Sequence, residues 1–271
     1  VRTPAQAVEA ANLVDVTVDR NLAKVLLRKG SAYEVVAGST TLKFTTIAVA
    51  NDAHFLPQTN TLYYTVPSAP ATTDPYFNNF SAISGIADAN YTAISEYSAT
   101  VLPTAGFYVF ENTPETFYTG NTTALRLKGV WVPDATEVDV YTAYDPATGA
   151  KTKGTISSGD SFYVSKVDGS YWSKPAYTDA IAAGANQIPA SDFSAEYVNG
   201  VGYYTINVQD AAGVKGVARN HYYVMEVNKV LGPGSPTEID NPNVPVEEDT
   251  YLAVKVTVKH WEVETSGHDI Q

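Results

Sequence analysis

Apolar and polar residues alternate along much of this chain with a period of two, the signature of half-buried β-strands. Val14, Val16 and Val18 alternate with Asp15, Thr17 and Asp19, and Ala23, Val25 and Leu27 then take up the apolar face. The parity flips near Asp19–Asn21, as a bulge or two successive strands would cause. Further strands are predicted at Leu42–Val49, Leu62–Val66, Phe107–Phe110 and Leu125–Val132. Others fall at Val138–Tyr144, Phe162–Val167, Tyr171–Trp172, Tyr203–Val208 and Tyr222–Val230. β-branched and aromatic residues dominate these runs, as a pleated surface favours. Asp168-Gly169 between two of them reads as a two-residue hairpin turn. The residues from Thr178 to Ala183, ended by Gly184, predict one short helix, and 67–105 reads as long surface loops rich in Ser, Thr, Asn and Pro. Several short strands without βα alternation predict an all-β fold, an antiparallel β-sandwich with long loops and few short helices.

The pattern changes twice towards the C-terminus. Residues 231–249 read LGPGSPTEIDNPNVPVEED, with four prolines and several carboxylates. Such a stretch fits neither a core nor a central strand and is expected to be a semi-rigid extended spacer. Fully extended, it would reach roughly 60 Å. Beyond it, Leu252, Val254, Val256 and Val258 face one way and Ala253, Lys255, Thr257 and Lys259 the other. Trp261 and Val263 then shift parity, so a kink or a second strand starts near His260. A strand this well patterned, at the end of a tether, is unusual, because chain ends are ordinarily poorly ordered unless tied down. The organisation is therefore a linker or short helix over 1–12, a sandwich over 13–231, a proline-rich spacer over 232–249 and an appended strand over 250–271.

Composition narrows the function. With 44% hydrophobic and 11% aromatic residues, a chain of 271 residues has the material for a sizeable core. Its formal net charge of −12 lacks the basic footprint of nucleic-acid binding and of electrostatic attachment to anionic lipid. There is no cysteine, hence neither a disulfide framework nor a thiolate metal site. No run reaches the roughly 18 apolar residues of a membrane-spanning helix. The four histidines, His54, His221, His260 and His268, are scattered without zinc-site spacing. No phosphate-binding glycine loop or nucleophile elbow is present. Asp139 and Asp145 could pair as glycosidase carboxylates, but among 29 acidic residues the ordinary reading is solvated turn and edge positions. The 19 tyrosines suit the rim of a β-core, with sugar-binding platforms as the alternative. No catalytic residue, metal site or cofactor is expected, and no enzyme activity.

Two stretches carry a resemblance. Arg219-Asn220 is followed by Tyr222-Tyr223, then by Gly232 ahead of the spacer, and the terminal strand ends in Trp261-Glu262-Val263 near a final Asp-Ile. The early stretch from Val16 to Leu27 holds an Arg-x-x-Ala-Lys-Val core, Arg20 to Val25, with Lys24 inside it. These features resemble the C-terminal domain of type V pilins, the fimbrillins of Bacteroidales, in particular the main subunit of short fimbriae. The resemblance covers about 70 residues and fades in the middle of the chain. It implies a transthyretin-like, Greek-key sandwich and a structural subunit of an adhesive cell-surface fimbria. It also implies a lipoprotein precursor exported across the outer membrane and cleaved after an arginine by a surface protease. That cleavage opens a groove in an N-terminal domain, and the C-terminal strand of a neighbouring subunit fills it. The chain is accordingly expected to be the C-terminal portion of a longer pilin. Leu252, Val254, Val256, Val258, Trp261 and Val263 would be the donated side chains, and Arg20, Lys24, Arg219, Asn220, Tyr222 and Gly232 the structural motif. Partners would be other copies of the chain, fimbrial accessory and anchor subunits, and host or bacterial surface receptors. An added strand gains main-chain hydrogen bonds and buries alternate side chains in pockets. The alternative function is a tip adhesin or surface glycan-binding module, in which the last strand would serve only its own fold.

Overall fold

A computed structural model describes residues 22–51, 80–101, 103, 106–114, 117–182, 184–210, 212–247 and 251–260. Within them, the strands are β1 (Leu22–Val35), β2 (Gly38–Ile47), β3 (Thr92–Ala93), β4 (Gly106–Phe110), β5 (Ala124–Pro133) and β6 (Val140–Tyr144). They continue with β7 (Lys151–Lys153), β8 (Phe162–Val164), β9 (Tyr171–Ser173), β10 (Val201–Asn207), β11 (His221–Val230) and β12 (Leu252–His260). One α-helix, α1 (Lys174–Ile181), follows β9. The strands form three four-stranded sheets among the described residues, in the orders β12-β11-β1-β4, β10-β5-β2-β3 and β7-β6-β9-β8.

The first two sheets make the sandwich. Ala23, Val25 and Leu27 of β1 and Tyr223, Met225 and Val227 of β11 point inward from one sheet. Leu42 and Phe44 of β2, Leu125 and Leu127 of β5 and Tyr204 and Ile206 of β10 meet them from the other. Each set keeps the period of two, as burial of one face of a pleated strand requires. At the corner between β1 and β2, Ala37 adopts a left-handed conformation (φ 58°), and its N–H is accepted by Glu137 at 3.0 Å. This lets consecutive strands enter different sheets.

Three expectations need correction. β1 pairs with β11 in parallel, as β6 does with β9, so the first and third sheets are mixed. The helix begins four residues before Thr178, because the Ser173 hydroxyl accepts the Ala176 N–H at 3.3 Å and a proline sits in the first turn. The turn at Asp168-Gly169 is also wider than two residues. Ser165 N–H reaches Ser170 O at 2.8 Å, and Gly169 closes the loop with φ 73°. The predicted strands at 14–18 and Leu62–Val66 lie outside the described residues.

The third sheet lies within residues 134–200, inserted between the antiparallel neighbours β5 and β10. It has its own aromatic core, with Trp172 against Tyr141, Tyr144 and Phe193. Phe162, Tyr171 and Tyr197 extend the main core towards it.

The terminal strand and its seat: a candidate assembly site

Among the described residues, β12 lies at one edge of the first sheet and pairs antiparallel with β11. Val254 stands opposite Val227, Val256 opposite Met225 and Val258 opposite Tyr223. Leu252 is buried at the rim of the main core, and Val254, Val256 and Val258 are half-buried against it. The four apolar side chains thus share one face, packed against the chain's own core. A register shift between Val227 and Lys229 brings Leu252 into line with Val230.

The other face is polar and positively charged. Lys255 stands opposite Glu226 with its Nζ 4.0 Å from the carboxylate, and Lys259 stands opposite Tyr222. Glu226 is itself buried, held by Arg28, whose Nε donates to it at 2.9 Å. The Arg28 guanidinium also lies over the Tyr97 ring, 4.9 Å from its centre. A buried carboxylate needs such partners, so Glu226 gives the cationic face of β12 a fixed anchor.

The proline-rich stretch is not a free tether in this structure. Its root is fastened to β10 and to the end of the third sheet. The Tyr204 hydroxyl donates to Gly232 O and the Tyr197 hydroxyl to Gly234 O, each at 2.8 Å. Tyr203 and Ser235 exchange two backbone hydrogen bonds, both 2.8 Å. The fit requires glycine on both sides. A Cβ at Gly202 would stand 1.6 Å from Pro233 O, and one at Gly234, which has φ 74°, would stand 2.4 Å from Tyr203 O. Burial pushes the hydroxyls of Tyr197 and Tyr171 upward, Tyr171 to about 12, so they stay protonated as donors and core groups.

Beyond the root, the stretch arches over the outer face of the second sheet. Glu238 accepts from Gly85 N–H at 2.6 Å and from the Tyr91 hydroxyl at 3.3 Å. Burial and the neighbouring Glu238 carboxylate raise the Tyr91 pKa. Gly120 N–H donates to Pro242 O, Thr119 N–H to Val244 O and Val246 N–H to Phe117 O, at 2.9–3.0 Å. Between arch and sheet lies a cavity of about 280 Å³, walled by Ile47, Ala124, Thr205, Ile239, Val244 and Val246 among others. Buried Arg126 spans the two layers, donating to Ile83 O and Ile239 O.

The motif residues have separate structural roles. Arg219 is buried and donates from Nε to Glu111 at 2.8 Å, tying the start of β11 to the end of β4. Asn220 is left-handed (φ 58°), and its N–H bonds Leu22 O at 3.0 Å at the start of β1. Asparagine tolerates that conformation better than most residues. Lys24 faces outward, its Nζ 5.2 Å above the Tyr108 ring, in register with Tyr222. Gly232 packs beside Tyr251, where a Cβ would come within 3.0 Å of the ring. Arg20, Trp261 and Val263 lie outside the described residues. The sequence reading missed Glu111, Glu226, Glu238 and the anchoring tyrosines. Only the Gly232-x-Gly234 spacing hinted at a close backbone approach.

Residues 195–266 match the sequence family described as major fimbrial subunit protein type IV, fimbrillin, C-terminal. The C-terminal part of the chain is fimbrillin-like. The resemblance read from Arg219-Asn220 and the terminal strand is thereby borne out, and the matched span runs from before β10 through β12. Among solved structures, the chain is similar to a fimbrilin from Porphyromonas gingivalis, with 18% identity and a TM-score of 0.42 over 90% of this chain and 59% of that one. It is also similar to a candidate cell adhesion protein from Parabacteroides distasonis, with 18% identity and a TM-score of 0.39 over 90% of this chain and 60% of that one. A third, a candidate cell adhesion protein from Bacteroides eggerthii, shows 16% identity and a TM-score of 0.36 over 90% of this chain and 56% of that one. The chain spans less than two thirds of the length of each. No curated protein sequence matches it.

Proposed function

We propose that the chain is the C-terminal part of a structural subunit of an adhesive cell-surface fimbria, and that β12 is the strand it donates to the next subunit. The observation that carries this reading is the form of the terminal strand. It is apolar on one face and cationic on the other, and among the described residues it sits at a sheet edge with one hydrogen-bonded neighbour. The segment leading to it is fastened at its root, and the rest arches over a partly empty space. In this reading the strand leaves while β11, β1 and β4 keep their pairing. The fimbrillin match over 195–266 supports the same reading.

In this proposal Leu252, Val254, Val256 and Val258 are the side chains that fill the acceptor groove, continued by Trp261 and Val263. Arg219, Asn220 and Gly232 hold the frame from which the arm leaves. The subunit travels to the surface as a lipoprotein precursor, and cleavage after an arginine in the longer protein opens the acceptor groove. Insertion of one strand into the next subunit is heterologous and does not close on itself, so it yields a filament. Accessory subunits and surface receptors are its further partners.

The test uses the full-length precursor. Treatment with an arginine-specific protease is expected to give a ladder of detergent-resistant oligomers, and deletion of 250–271 is expected to abolish it. A ladder that persists without those residues would contradict the proposal. No ladder from the intact protein would favour a binding module whose last strand serves only its own fold.

A further inference from the structure

We infer that the edge of β11 is itself an acceptor, on which β12 of a second copy of this chain takes the place of the chain's own β12. The inference rests on the reading of β12 as a donated strand and names a seat for it within this chain. The two halves of the interface are already on one molecule. Val254 against Val227, Val256 against Met225, Val258 against Tyr223 and Lys255 against Glu226 would be made again, unchanged, between two copies. Exchange therefore needs no new complementarity, only a connection that can open.

The connection is fastened twice, at its root and along the arch. Residues 232–235 are held by Tyr204, Tyr197 and the paired backbone of Tyr203. From 236 onward the arch crosses a cavity of about 280 Å³ and is held at its sides by Glu238 on Gly85 and Tyr91 and by backbone bonds between 117–120 and 242–246. Exchange must break those side bonds while the root stays fixed, and atoms that face the void have no packing partners on that side to oppose it. Residues 236–251 would then span up to about 50 Å, enough to reach a neighbouring copy. The β11–β12 contacts being the same within and between chains, the arch bonds favour the chain's own strand and concentration favours exchange. Once lifted, the arm presents its own strand at an effective concentration of at most about the millimolar range. The exchanged form therefore gains ground as copies are concentrated or held side by side, and a reciprocal pair closes as a dimer.

The absence of cysteine in the chain makes a direct test possible. Tyr222 and Lys259 stand opposite each other across β11 and β12. Such positions have Cα atoms about 4.5–5.5 Å apart, within the reach of a disulfide. Full chains carrying Tyr222→Cys and differently tagged full chains carrying Lys259→Cys are mixed, taken through mild denaturant and back at rising concentration, then oxidised. The expected result is a disulfide-linked heterodimer that grows with concentration. It should grow several-fold more when both chains also carry Gly120→Ala, because a Cβ there would meet Pro242 Cβ at 2.4 Å and lift the arch. A chain with both cysteines should close internally, which checks the register. The inference is overturned if that chain closes but the mixed chains link no more than a Val167→Cys and Lys259→Cys pair, Val167 being exposed in the insertion and unpaired with β12. It is also overturned if the doubly substituted chain does not close. A ladder from the precursor without this crosslink would keep donation to other subunits and remove this seat. The crosslink without a ladder would do the reverse.

Discussion

Arg219 and Glu111 form the most deeply buried ion pair among the described residues, with side chains 9% and 1% exposed. Removing one member leaves the other charged and buried, which typically costs about 3–5 kcal/mol. Arg219→Ala is therefore expected to lower the urea midpoint sharply, whereas exchange of both residues for apolar ones of similar volume should recover much of the loss. Gly202 is a second point of leverage. A methyl group there cannot coexist with Pro233 O, so Gly202→Ala should cost about 1–3 kcal/mol through displaced backbone. That loss should appear as faster hydrogen exchange at 232–235 before any change at β1. The buried tyrosines add a pH dependence. Tyr171 ionises at about 12 in the fold, and Tyr197 is also raised, both chiefly through burial. Their unfolded value is about 10. A folded value above the unfolded one contributes stability that is whole below about pH 10 and is lost as pH rises towards about 12. Thermal stability should fall across that window, less steeply in Tyr171→Phe, with tyrosinate absorbance as the parallel readout.

At the scale of the element, alternation was a reliable guide where one face of a strand meets the core. Ala23, Val25 and Leu27 face inward as their spacing requires, and so do Val254, Val256 and Val258. Partnership between strands was not legible. β1 and β11 pair in parallel although nearly two hundred residues separate Lys24 from Tyr222, and period two is the same in either orientation. The seat of the proline-rich stretch was hidden for a similar reason. Prolines and carboxylates say that 231–249 makes no regular strand. They do not say that hydroxyls from Tyr197 and Tyr204 will take its carbonyls. The helix start lies in Ser173-Lys174-Pro175, a capping serine with a proline in the first turn, four residues ahead of the expected Thr178. For β12, a charge on its apolar face should separate docking from folding. Val256→Asp is expected to cost about 2–3 kcal/mol of strand docking. Hydrogen exchange should then rise at 252–260 while β1 and β5 keep their protection. Loss of protection throughout would mean that β12 is integral to the sandwich.

At the scale of the whole molecule, the described residues form a sandwich with an elaborated β5–β10 connection and an arm that crosses one sheet before adding a strand to the other. Its strongly negative net charge keeps copies apart in dilute solution, and salt screens that repulsion. The arm is where assembly and stability meet, because the strand that completes one sheet edge is also the strand proposed to leave it. The most direct test of that claim is competition during assembly of the full-length precursor. A synthetic peptide of residues 250–271, added in excess with the protease, is expected to cap open grooves and collapse the detergent-resistant ladder towards single subunits. The same peptide with Val254→Asp and Val256→Asp should leave the ladder intact. A ladder indifferent to the native peptide would contradict the account, because the terminal strand would then not be what joins one subunit to the next.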